Sequence, residues 1–319
     1  MAHESTGAIY AAAGANLAIA TAKFVGGFLT GSTAMIAEGV HSVVDTLNQI
    51  LLLIGLKRSV KPADVRHPFG YGREVYFYAF VVALMIFLGG GLFAIYEGVE
   101  RMLHPEPDKD AHLFGYTIPG LYVNLAILGF SIAAEGYSWT VAMKQFWAEK
   151  GKHSAIHAIR RSKDPSLFTI LAEDTAALAG LLIALTGVLL AHVLENPALD
   201  GAASIGIGLV LVGMALFLMV ETHGLLIGEA ADPALVEAIN EIVRDEPGVM
   251  HVNEVLTQHL GPSDILVNLS LDMADDLTAG AVEATVSRLD KALKASEPDV
   301  KRVFIEIQAK PEGARAAAA

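Results

Sequence analysis

The stretch TAMIAEGVHSVVDTLNQILLLIGL, residues 33–56, is apolar and long enough to cross a bilayer, yet it carries Glu38, His41, Asp45 and Asn48. A crossing helix needs about 20 apolar residues. His41 and Asp45 are four residues apart, so on a helix the imidazole and the carboxylate share one face, one turn apart. Glu38 and Asn48 extend that stripe in both directions. An ionisable group at membrane depth costs at least about 2.5–3.5 kcal/mol on insertion scales, so the stripe reads as a functional site. For Asn48 alone a packing contact between helices is the simpler reading. For the Glu/His/Asp stripe an ion site is favoured.

The rest of the chain is built to match. Hydrophobic residues make up 53% of it and the mean hydropathy is +0.48, too apolar for an ordinary soluble domain. Six runs are long enough for spans: roughly 8–29, 33–56, 75–96, 113–134, 167–194 and 201–220. The opening MAHESTG is short and has no basic region, which makes the first run a retained span rather than a signal peptide. No Arg- and Ser-rich organelle presequence is visible, so the expected location is a bacterial inner membrane. With no cysteine, a bound metal must use imidazole, carboxylate or other oxygen ligands.

Basic residues set the orientation. Lys57, Arg58, Lys61, Arg66 and Arg73 follow the second span, and Lys144, Lys150, Lys152, Arg160, Arg161 and Lys163 follow the fourth. The opposite connections hold only Arg101 and Lys109. The positive-inside rule then puts both termini in the cytoplasm. The chain is expected to divide into a transmembrane domain, 1–228, with a cytoplasmic connection at 137–165, a cytoplasmic domain, 229–311, and a disordered tail, 312–319.

Beyond Glu229 the pattern is that of a soluble domain. Asp232 and Pro233 read as the cap and first residue of a helix reaching about Arg244. A strand near 250–258 and a turn at Gly261-Pro262-Ser263 precede a clean alternation. There Ile265, Val267, Leu269 and Leu271 share one face, and Asn268, Ser270 and Asp272 the other. A helix at about 278–295 and a strand around Val303, Ile305 and Ile307 complete an α-β-β-α-β order, the sign of a small ferredoxin-like α+β domain. This segment holds 17 acidic and 8 basic residues, a net of −9 out of −13 for the chain. A nucleic-acid surface needs the opposite sign, so nucleic acid is not an expected partner.

Together, AEGVHSVVDTLNQILLLIGLKRS, the segment ADVRHPFGYGREVYFYAF, the external YEGVERMLHPEP and the six-span plan resemble the cation diffusion facilitator family. LAEDTAALAG in the fifth run is similar to the branch that includes the mitochondrial zinc transporters of animals. The resemblance implies a homodimeric antiporter, not an enzyme, that moves a divalent metal, most often zinc, out of the cytosol against protons. It also implies a metal site. His41 and Asp45 match the second-span pair, and Asp174 matches the second member of the fifth-span pair. Ile170 stands where the first member belongs, so one ligand is missing. Water or Glu173 would complete a four-coordinate zinc. Glu173 sits about 100° away from Asp174 on the helix and equally suits a hydrogen bond to a neighbouring helix.

The resemblance marks a second position in the loop between the second and third spans. Asp64 and His67 match two ligands there and Tyr71 replaces the third; weak metal binding and loop shaping both fit. Arg73 matches a residue that interlocks protomers in some members, with Glu229 its nearest partner here. The histidine cluster of some relatives' soluble domains has no counterpart. His251, Glu254, His259, Asp264 and Asp272 are scattered, and the two histidines read as structural or surface residues. His153 and His157 suit a surface metal trap or a solvated helix face. Glu135 reads as an interface residue or part of an entry path. Gly89, Gly90, Gly91, Gly206 and Gly208 read as close-packing positions.

Three function classes are separable on this basis. A metal:proton antiporter is favoured by the retained His41, Asp45 and Asp174, with Mn, Fe, Co or Ni as alternative cargo to zinc. A non-transporting scaffold or regulator of the same fold has Ile170 in its favour. A metallohydrolase wants an HExxH-type helix, which is absent.

Overall fold

The computed structural model describes residues 10, 13–14, 16–25, 33–105, 110–113, 116–150 and 163–310, excepting the side chains of 33–41, 111–116, 149, 150 and 167. His153, His157 and the tail lie outside the described residues. The chain forms two compact units. One comprises 1–58 and 74–223, the other 59–73 and 224–319.

The first unit is helical: α1 (Asn16–Val25), α2 (Thr33–Ser59), α3 (Glu74–Leu103), α4 (Gly120–Lys150), α5 (Pro165–Val193) and α6 (Ala198–Ile227). Among the described residues four helices, in α3, α4, α5 and α6, are long and apolar enough to cross a membrane. α3 widens into a π-helical stretch, Ile86–Leu92, around the three consecutive glycines. α5 starts where Asp164 caps the backbone N–H of Ser166 and Pro165 takes the first turn. α4 packs along α5, and α3 also touches α5.

One expectation about the fourth span needs correction. Its helix begins at Gly120 rather than near 113, because Tyr116–Ile118 pairs with Ala111–Leu113 as a short antiparallel ribbon, β2 with β1. Aromatic and β-branched residues suit a strand, and Pro119 suits the position just before a helix. The connection expected at 137–165 starts as helix, since α4 runs on to Lys150. No proline interrupts residues 137–150, and Gly136 alone does not stop a helix.

α3 and α6 meet through small residues. A Cβ on Gly208 would lie 2.6 Å from Ile95 Cγ1 and 2.7 Å from the Gly91 oxygen, and one on Gly91 would lie 2.6 Å from Val212 Cγ2. Two turns along, a Cβ on Gly98 would lie 2.6 Å from the Gly201 oxygen and one on Gly201 would lie 2.7 Å from the Gly98 oxygen. A Cβ on Gly206, by contrast, would make only ordinary contact, with Ile183 Cγ2 at 3.5 Å, and so would one on Gly89, with Val44 Cγ1 at 3.8 Å. Arg101 near the end of α3 binds Asp200 in the first turn of α6 and Glu97 on its own helix. Gly208→Ala is therefore expected to destabilise the detergent-solubilised protein by about 1–3 kcal/mol, the usual range for overpacking. Gly206→Ala should leave thermal unfolding close to that of the parent; equal effects from both would mean that α3 and α6 do not pack through Gly208.

The second unit holds α7 (Pro233–Arg244), β3 (Val249–Gly261), β4 (Asp264–Met273), α8 (Ala279–Ser296) and β5 (Val300–Ile307). Asp232 caps α7 through the Ala234 N–H, as predicted. β4 is central, antiparallel to β3 and parallel to β5. Ile265, Val267, Leu269 and Leu271 of β4 are buried against Ile239 and Val243 of α7 and Leu289 and Leu293 of α8, which form the core. α6 stops at Gly228, whose φ of +114° is open to glycine and strained for other residues.

The loop 59–73 belongs to this unit. Gly72 lies against the Leu260 carbonyl, where a Cβ would come within 2.4 Å, and Phe69 receives the Arg302 guanidinium at 5.6 Å. Arg302 in turn pairs with Asp264 at 2.7 Å.

Candidate metal centre

The buried polar residues of the helical unit gather on α1, α2, α4 and α5. On α5, Asp174 is 2% exposed, and its Oδ2 accepts a hydrogen bond from Ser138 Oγ of α4 at 2.7 Å. Next to that pair, Trp139 Nε1 donates to Thr175 Oγ1 at 3.1 Å, so the two helices are held in register at this depth. Asp45 of α2 is half-buried and close enough to act electrostatically on Asp174, Glu173 and Glu135. The second-span and fifth-span aspartates predicted as ligands thus lie in one electrostatic neighbourhood. His41 is on α2, one turn before Asp45, but its side chain lies outside the described residues. Among the described residues no three His, Asp or Glu side chains converge as a ready metal cluster.

Glu173 is hydrogen-bonded to a neighbouring helix. Its Oε1 accepts from Asn48 Nδ2 at 2.9 Å and its Oε2 from Gln49 Nε2 at 3.1 Å. Gln49 Oε1 accepts in turn from Asn16 Nδ2 at 3.3 Å, so the chain of bonds runs from α5 through α2 to α1. Both carboxylate oxygens are used by amides. Of the two roles open to Glu173, the structure has the hydrogen-bonding one. Ile170, one turn before Asp174, is completely buried and offers only hydrocarbon.

Residues overlooked in the sequence complete the neighbourhood. Lys23 of α1 is buried, and its Nζ donates to Ser42 Oγ of α2 at 3.1 Å. Lys23 also acts electrostatically on Glu135. A lysine inside an apolar run is itself a signal by the rule that singled out Asp45, so Lys23 was there to be found. Ser42, Ser138, Gln49 and Asn16 carry no such flag. Asp45, Glu135, Glu173 and Asp174 thus bring four acidic side chains of α2, α4 and α5 within electrostatic reach of one another.

The loop position behaves differently. Asp64 Oδ2 accepts from Tyr71 Oη at 2.6 Å, and Oδ1 accepts from the backbone N–H groups of His67 at 2.7 Å and Arg66 at 2.9 Å. These bonds shape the loop; His67 Nδ1 stands 3.6 Å away, too far to share a hydrogen bond. The Tyr71 hydroxyl, followed by the His67 amide, holds the Asp64 carboxyl below the ordinary aspartate value of 3.8. A depressed folded-state pKa means that the loop gains stability above the ordinary value and loses it as pH falls through the lowered one. A carbon-detected NMR titration is expected to place Asp64 below ordinary aspartates, and Tyr71→Phe should move it back up. An Asp64 titration unmoved by that substitution would contradict the assignment.

In the soluble unit, His259 is buried with Nδ1 3.3 Å from the Gly261 oxygen, and its backbone N–H bonds Glu229. Asp264 is committed to Arg302, and His251 and Glu254 are exposed on β3. Arg73 lies beside Gly228, whose Cβ would stand 2.9 Å from its Nη2.

Residues 9–227 match the family model described as the cation efflux transmembrane domain. The chain belongs to that family, the cation diffusion facilitators, which are multi-pass membrane transporters rather than enzymes. It is 28% identical over 324 residues to the human protein named proton-coupled zinc antiporter SLC30A9, mitochondrial, covering 89% of this chain and 55% of that one. It is 29% identical over 261 residues to metal tolerance protein C4 of Arabidopsis thaliana, covering 81% and 54%. Magnetosome protein MamM of Paramagnetospirillum magneticum is 24% identical over 301 residues, covering 93% and 86%. The chain therefore spans about half the length of the first of these relatives.

Proposed function

We propose that the chain exports a divalent metal, zinc foremost, from the cytosol in exchange for protons. The observation that carries this is buried Asp174 on α5 lying within electrostatic reach of Asp45 on α2, inside the family-matched region. His41, one turn from Asp45, supplies the imidazole. These ligands bind metal as neutral imidazole and ionised carboxylate, so protons compete with the metal for the same atoms. That competition suffices for exchange when the site opens to one side at a time. Three protein ligands also suit a site that must release its ion. A relative named for proton-coupled zinc antiport supports zinc and protons as the exchanged pair. Mn, Fe, Co and Ni accept the same donors.

In this reading α1–α6 are six spans with both termini cytoplasmic, and the membrane is a bacterial inner membrane. Residues 229–311 form a ferredoxin-like domain through which two copies pair. A hydrocarbon core, in which β4 packs on α7 and α8, supports folding of this domain without a metal. Expression in cells lacking their own zinc exporters is expected to lower cytosolic zinc and restore growth in high zinc. Unchanged cytosolic levels of zinc, Mn, Fe, Co and Ni would favour the scaffold instead.

A further inference from the structure

We propose that Lys23 is the fixed positive charge of the transport site, an ammonium on α1 that weakens metal binding and so favours release of the ion. This deepens the transport-site reading of Asp45 and Asp174 and rests on it. Two buried polar bonds join α1 to α2: Asn16 Nδ2 donates to Gln49 Oε1 at 3.3 Å, and Lys23 Nζ donates to Ser42 Oγ at 3.1 Å. From the first bond to the second, α1 advances seven residues and α2 goes back seven, so the two helices run antiparallel in a single register. That register sets Lys23 level with Ser42, the neighbour of His41, and Ala20 level with Asp45. Ser42 and Asp45 are three residues apart, about 4.5 Å of helical rise.

The ammonium is sealed in at this depth. Lys23 is 7% exposed and Ser42 2%, and Ile19 and Ala20 of α1 are buried beside them. Lys23 and Asp45 both act electrostatically on Glu135 of α4, so the cation and a ligand of the proposed site share one neighbourhood. Packing of α1 on α2 does not itself require a charge. At the other end of the same seam the neutral amides of Asn16 and Gln49, both buried, hold the register. A charge inside an apolar span is costly to insert, and a part in the electrostatics of the site accounts for it. When the metal leaves, Lys23 is the positive charge that stays with the acidic side chains of α2, α4 and α5. When the metal returns, the dication meets a tethered cation that cannot diffuse away, and their repulsion lowers its affinity.

The test titrates the full-length protein in detergent with zinc alone against a chelating dye. Lys23→Gln removes the charge and keeps a donor for Ser42 Oγ. Zinc is expected to bind it about tenfold tighter or more, since a unit charge and a dication repel appreciably across several ångströms even at an effective dielectric of about 20. In liposomes the same variant should show a lower KM for zinc together with a lower kcat, the mark of an ion held too tightly. Lys23→Met removes the donor as well; it should match Lys23→Gln in affinity and add a loss of thermal stability. Tighter binding with an unchanged kcat would overturn the part assigned to Lys23 in release. Parental or weaker zinc affinity in a folded Lys23→Gln or Lys23→Met, while Asp174→Ala loses zinc, would overturn the role of Lys23 and leave the transport site standing. Parental zinc binding in Asp174→Ala would overturn the transport-site reading itself.

Discussion

Asp45→Ala and Asp174→Ala are each expected to reduce metal flux by about 100-fold or more while leaving a folded protein. Outer-shell partners of a metal typically contribute 10–100-fold in affinity or activity, so a direct ligand stands at or beyond that upper end. Asp174 has one hydrogen bond to lose, the 2.7 Å contact from Ser138, and alanine is at home in a helix. His41→Ala should abolish transport or change the preferred metal, since an imidazole nitrogen is the softest donor in the set. The check is metal uptake into liposomes at matched protein content, with size-exclusion profiles as the folding control. Parental flux in Asp174→Ala would remove α5 from the transport site.

Gln49→Leu should behave in the opposite way, with a large effect on stability and little on metal. It strips the donor from Glu173 Oε2 and the acceptor from Asn16, breaking a chain of buried bonds across three helices. A hydrogen bond of this kind contributes about 0.5–1.5 kcal/mol, and a buried polar oxygen left without its donor costs about 1–3 kcal/mol. Thermal unfolding in detergent is expected to shift down clearly, while the zinc affinity of the folded protein stays within about threefold, well short of the 10–100-fold that follows loss of a group supporting a metal. A hundredfold loss of zinc affinity without loss of stability would instead make this network part of the metal site.

Much of this was legible beforehand, and the reasons differ by element. Asp45 stood out because a charge inside an apolar run is rare, Asp174 through the resemblance of LAEDTAALAG to its family, and the alternation from Ile265 to Leu271 specified both the strand and its buried face. Asp232-Pro233 announced α7 for the same local reason. What escaped was whatever depends on a partner far along the chain. Ser138 is an ordinary helical serine until Asp174 is seen 2.7 Å away. Gly98 and Gly201 look unremarkable singly and matter only as a facing pair. Glu173 had two readings because a helix face shows where a side chain points and not what waits there. The start of α4 was misplaced because Tyr116, Thr117 and Ile118 continue the apolar run of the span, and only their pairing with Ala111–Leu113 reveals them as strand.

Coupled exchange through the Asp45–Asp174 site can be read in one liposome preparation by recording metal and proton flux together. Purified protein is reconstituted with a zinc dye and a pH dye inside, and a pH gradient is imposed with no zinc gradient. Zinc is expected to accumulate against its own gradient, protons to move in the opposite direction when zinc alone is added, and both to be lost in Asp174→Ala. Zinc flux indifferent to the pH gradient, or proton movement surviving in Asp174→Ala, would contradict coupled exchange through this site.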